Sequence, residues 1–164
     1  MLVAADRPTG AGFDVLLIAH VASVMVGFGA ILASGVQAGR GLRVKDGVPV
    51  PVALVRYYRP GPALAGRVVY LVPLLGVGLL ADSRGVFGVE DLWVVLGIMC
   101  WVVAVGVAEG VLWPAERQIK RRFLARAELV MTPALRRQCR SVCLSSGLVV
   151  AIALVAIVMM VWQP

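Results

Sequence analysis

Four unbroken apolar blocks dominate the chain, at about residues 13–38, 63–81, 92–113 and 142–162. Within each, the apolar residues neither alternate as in a half-buried strand nor keep to one stripe as in a surface helix. At 1.5 Å per residue, each block is about long enough to cross a hydrocarbon core of about 30 Å. The pattern predicts an all-α fold: a four-transmembrane-helix bundle of two hairpins, forming one integral membrane domain over residues 1–164. Residues 1–12 lack the basic start and small-residue cleavage site of a signal peptide, so the first block is expected to stay in the membrane. Pro73 removes a backbone donor inside the second block and predicts a kink there.

The third block is expected to continue as a basic amphipathic helix to about residue 131. In it Ile119, Phe123, Ala127 and Met131 recur every four residues. Such a stripe suits either the headgroup region or packing against the protein's own neighbouring segments. Pro133 is expected to end that extension before the fourth helix begins near residue 142.

Composition sharpens the class. The chain is 60% hydrophobic and 15% charged, with a mean hydropathy of +0.92, whereas soluble domains run about 45–50% apolar and about 25% charged. The net charge of +7 is distributed unevenly: thirteen of the sixteen Lys and Arg lie in the first and third connections. Basic connections mark the cytoplasmic side, so both termini are expected outside, with an acidic outer rim of Asp6, Asp14, Asp82, Glu90 and Asp91. No dispersed basic surface interleaved with aromatics is present in the pattern, which argues against nucleic acid as a partner. Trp93 and Trp113 are separated by twenty positions, about 30 Å of helix, and read as markers of opposite interfaces; Trp162 plays that part for the fourth helix.

Few residues in the blocks carry chemistry. His20, Ser23, Gly27, Ala30 and Ser34 share one face of the first helix, the expected packing face, and Gly106 and Gly110 form a small-xxx-small pair on the third. His20 is the one histidine. It is open to use as a haem or copper ligand, a proton relay or a substrate contact, or to service as a neutral hydrogen-bonding group between helices. One histidine rules out a bis-histidine haem within one chain, while a His–Met site through Met25 or Met99 stays open. Glu109 sits one turn inside Trp113, where an unpaired charge costs about 2.5–3.5 kcal/mol, and Arg67 lies at similar depth; an ion pair between them is expected, the alternative being that Arg67 snorkels to the headgroups alone. Counted from Asp14 and Asp91, His20 and Glu109 differ in depth by about 18 Å, which excludes a direct dyad. Cys139 and Cys143, four apart, could share a metal, but without a His or acidic companion they read as small helix residues.

The run LLIAHVASVMVGFGAIL, Leu16 to Leu32, and the segment RYYRPGPALAGRVVYLVPLLG, Arg56 to Gly76, resemble an uncharacterised bacterial family of predicted integral membrane proteins, a domain of unknown function. The resemblance implies four helices and a bacterial cell membrane and carries no activity or site residues. The expected role is a small multi-pass inner-membrane component without enzymatic activity, cofactor or metal. Its expected partners are the lipid bilayer and either copies of itself or a membrane-complex partner. The alternatives are a transport or channel subunit using Arg67, Glu109 and His20, and a haem or copper electron carrier.

Overall fold

The computed structural model describes residues 10–58, 64–125 and 130–162; the expectations for Asp6 and Ala127 lie outside them. Helix α1 spans Ala11–Leu42 and a short α2 spans Val52–Tyr57. A 3₁₀ segment, Ala65–Tyr70, runs into α3, Leu71–Asp82. Helix α4, Leu92–Val107, passes through a π turn, Ala108–Leu112, into α5, Trp113–Leu124, and α6 spans Pro133–Trp162. Four rods result that are long and apolar enough to cross a membrane. Helices α1 and α6 form the central pair; α3 and its 3₁₀ lead flank α1, and α4 flanks α6.

The protein buries little of these rods in itself. Between 11 and 28% of the most apolar stretch of each span is enclosed, and Ile18, Met25, Leu74 and Val158 point outward. A contiguous apolar surface of that extent is incompatible with water and matches a hydrocarbon solvent. The chain is a multi-pass membrane protein.

Close approach between rods depends on small residues. A Cβ on Gly35 would lie 2.6 Å from the Ser146 Cβ, and one on Gly27 would lie 2.9 Å from the backbone nitrogen of Val69. Ser23, Gly27 and Ser34 are buried as predicted, and Ala30 sits half-buried at the margin of the same face. Ser146 Oγ, in the α1–α6 seam, donates to the Ile31 carbonyl at 2.7 Å.

Two prolines remodel the backbone. Pro73 has no N–H to give the Val69 carbonyl four residues earlier. The predicted kink takes the form of a change from 3₁₀ to α geometry at Leu71, where the Val69 oxygen accepts a backbone N–H in the 3₁₀ manner and, at 2.9 Å, the indole Nε1 of Trp101 as well. Pro114 withholds its donor from Gly110 in the same way. The turn before it widens, and the Trp113 N–H reaches back five residues to Ala108.

The basic end departs from expectation at two points. Pro133 opens the fourth helix instead of separating it from the third, because its missing N–H falls in a first turn that has no intrahelical acceptor. Thr132 Oγ1 accepts the Leu135 N–H at 3.2 Å. Arg136, Arg137 and Arg140 therefore ride on α6. The basic extension of the third helix stops at Leu124, short of residue 131. Its apolar stripe is not laid on a membrane surface: Ile119 and Met131 are fully buried in the protein's own core.

The first and third connections are tied to each other. Gly47 N–H donates to the Met131 carbonyl and Met131 N–H to the Val48 carbonyl, both at 2.8 Å. Arg136 pairs with Asp46 at 2.9 Å and donates to the carbonyls of Leu42 and Val44. A guanidinium on the carbonyl end of α1 satisfies acceptors that have no intrahelical donor and faces the negative end of the helix dipole.

Candidate functional site

The π turn presents Glu109 to the second span. Its Oε1 lies 3.6 Å from Arg67 Nη1 and accepts a hydrogen bond from the Tyr70 hydroxyl. The Arg67 guanidinium carbon also stands 4.8 Å from the ring centroid of Trp113, a distance at which a cation is attracted by the indole face. Tyr70 and Trp113 have ring centroids 6.0 Å apart. The structure thus brings together the two charged residues that depth counting set at one level, and adds two aromatics to them. Arg67 and Glu109 side chains are 46% and 45% exposed, so the cluster lies on the outer surface of the bundle at the level of Trp113.

Gly106 and Gly110 flank Glu109 and face outward. A Cβ at either would meet no atom within 4 Å among the described residues. The close approach expected of this pair is not made among the described residues.

His20 occupies a separate place. Its ring covers Gly76, whose Cβ would lie 3.5 Å from Cε1, and its Nδ1 is buried without a hydrogen-bond partner among the described residues. Gly76 follows Arg67 by nine positions, about 14 Å of helix, so His20 and the Glu109 cluster are distinct sites. Cys139 and Cys143 turn to α1, where their sulfurs lie 3.3 and 3.5 Å from the Cβ positions of Gly41 and Gly39. Among the described residues, no three His, Cys, Asp or Glu side chains group closely enough to hold a metal ion.

A second polar cluster was not anticipated. Glu116, on α5, accepts a hydrogen bond from the Ser34 hydroxyl of α1. Ser34 Oγ lies 3.2 Å from the hydroxyl of Tyr58, which also donates to the Ser34 carbonyl at 2.9 Å. Tyr58 follows α2 and is one of the largest fully buried side chains; burial pushes its phenol well above the ordinary range. In the sequence, Glu116 reads as one more solvated charge beside Arg117 and Lys120. The available signal is Ser34, a hydroxyl at the basic end of the α1 packing face that needs an acceptor once buried.

No family model, curated protein or solved structure matches the chain.

The Arg67–Glu109 pair makes a direct demand on stability. With one member removed, the other loses its opposite charge in a medium that solvates it poorly. Arg67→Gln and Glu109→Gln are therefore expected to lower thermal stability in detergent non-additively, with a coupling of about 0.5–3 kcal/mol across the four-protein cycle. Strict additivity would mean that the two groups act alone.

Proposed function

We infer that the protein is a self-associating accessory component of a bacterial inner membrane rather than an enzyme. The observation that carries this reading is the outward face shared by the end of α4 and the π turn, where Glu109 stands between Gly106 and Gly110. An ion pair half exposed beside apolar surface is stabilised when a second protein surface covers it, and glycines with no neighbours are where a second backbone can come close. A second copy meeting this face about a two-fold axis would bring Arg67 of each chain towards Glu109 of the other, as self-complementary interfaces require. The family resemblance adds the bacterial membrane to this reading.

The same reading puts both termini outside. Support comes from the thirteen basic residues of the first and third connections and from the backbone pairing of Pro49 with Val130, which holds those connections at one end. Cytoplasm is the side on which such charge is retained.

A Cβ at position 106 meets no atom within 4 Å among the described residues, so Gly106→Leu is expected to leave the fold intact while blocking close approach. Energy transfer between donor- and acceptor-labelled copies in liposomes is expected to fall as lipid dilutes the wild-type protein. In Gly106→Leu, association is expected to weaken by about tenfold, the equivalent of about 1.4 kcal/mol. A wild-type protein that stays monomeric at every protein-to-lipid ratio refutes self-association. For orientation, a cysteine introduced at the exposed Val86 is expected to react with a membrane-impermeant maleimide on intact cells. Reaction only after permeabilisation reverses the topology.

A further inference from the structure

Two thiols and a thioether come together at the basic end of the α1–α6 seam. Cys139 and Cys143 are one turn apart on α6 and both face α1, where Gly41 and Gly39 leave their sulfurs uncovered. A Cβ on Gly41 would stand 3.3 Å from Cys139 Sγ and 3.8 Å from the terminal methyl of Met131. One on Gly39 would stand 3.5 Å from Cys143 Sγ. Met131 arrives from a different stretch of chain, ahead of α6, and is the companion that the two cysteines lack in the sequence. Both cysteines are free.

The notch has a fixed frame. Gly47 N–H donates to the Met131 carbonyl and Met131 N–H to the Val48 carbonyl, so the backbone that presents the thioether is held from both sides. Cys139 and Met131 are fully buried, and Leu54 closes the notch with its Cδ2 3.0 Å from the Gly41 Cβ position. Cys143 is half-buried and is the sulfur that an ion from outside meets first. Core packing accounts for each of these residues singly. It does not call for three of the chain's nine sulfur-bearing residues, three Cys and six Met, to share one notch.

Thiolate and thioether donors select soft metal ions. A closed zinc site takes four ligands, and among the described residues no third His, Cys, Asp or Glu joins the two cysteines. Monovalent copper is satisfied by two or three sulfurs. Apolar walls such as Leu54 keep water from the metal, which favours the reduced ion. Two thiolates on Cu(I) leave one negative charge, on a helix whose first turns carry Arg136, Arg137 and Arg140.

We propose that Cys139, Cys143 and Met131 form a binding site for monovalent copper, held by two thiolates and one thioether. Binding forms two copper–thiolate bonds and one copper–thioether bond and releases the two thiol protons to water. Copper remains Cu(I), so no electron moves. The bound ion ties α6 to the end of the third connection beside α1. The site needs one chain and is independent of self-association.

The test titrates the full chain in detergent, anaerobically, with Cu(I) held by the chromophoric chelator bicinchoninate. Wild-type protein is expected to withdraw one Cu(I) per chain, and X-ray absorption at the copper edge to show three sulfur neighbours and no nitrogen. Met131→Leu keeps the apolar volume. It is expected to retain one copper with two sulfur neighbours and about tenfold lower affinity, the loss of one weak donor. Cys139→Ser and Cys143→Ser are each expected to lose about a hundredfold or more. Cys100→Ser, on α4, is expected to change nothing. Should a seam cysteine variant fail to fold, the copper shells of wild type and Met131→Leu decide. A wild type that takes no copper from the chelator, a shell containing nitrogen, an unchanged shell in Met131→Leu, or equal loss in Cys100→Ser overturns the site.

Discussion

A backbone carbonyl in hydrocarbon has no water to turn to, and much of this structure follows from meeting that constraint. An unpaired polar group there costs several kcal/mol, so spans must close their own hydrogen bonds. Two prolines break the pattern, and each break is answered. At Pro73 the backbone tightens to 3₁₀, so that the Val69 oxygen still accepts a backbone N–H, and Trp101 reaches across from α4 to the same oxygen. Ahead of Pro114 the backbone instead widens into a π turn. That second solution has a consequence at the surface, because the widened turn carries Glu109 to Arg67 and Tyr70. Serines in the seams do the same on a smaller scale: Ser23 and Ser145 return their protons to carbonyls one turn back, and Ser146 gives its own to Ile31. Small polar residues can line a membrane interior only on those terms.

Along the membrane normal the molecule is held by two different means. Away from the basic connections, contact is mostly apolar, with α3 and α4 leaning on the central α1–α6 pair. Towards the basic side, hydrogen bonds multiply: Glu116 with Ser34 and Tyr58, Arg136 with Asp46 and the end of α1, and the paired backbones of the two long connections. Each of these ties segments far apart in the chain. The described parts of the basic connections thus form a hydrogen-bonded layer, and the Arg67–Glu109 cluster sits where that layer meets the apolar rods.

The spans were legible in the sequence because continuous apolar length is a direct response to bilayer thickness. The approach of Arg67 to Glu109 was legible for a related reason: at a fixed rise per residue, depth can be counted from helix ends without knowing how helices pack. What escaped depended on long-range partners. Glu116 is one acid within a basic run until Ser34, eighty-two positions away, is beside it. The helix at α2 is too short for periodicity to register, yet it delivers Tyr58 to the core. Pro133 was read as a break when it is a start, since a missing N–H suits the first turn as well as it ruins a later one. Gly106 and Gly110 read as a close-approach motif in the sequence, yet among the described residues nothing lies within 4 Å of a Cβ at either.

The central claim is that a carbonyl denied its α-helical donor by a proline is met by other donors, and the Val69–Trp101 bond tests it most directly. Thermal stability in detergent is measured for the wild type, Trp101→Phe, Pro73→Ala and the double variant. Phenylalanine keeps an aromatic ring and removes the donor, while alanine at 73 restores a backbone N–H within reach of Val69. The account predicts that Trp101→Phe costs about 1–2 kcal/mol in the wild-type background and clearly less when Pro73 is alanine. An equal cost in both backgrounds would contradict it, because the indole would then be contributing packing alone.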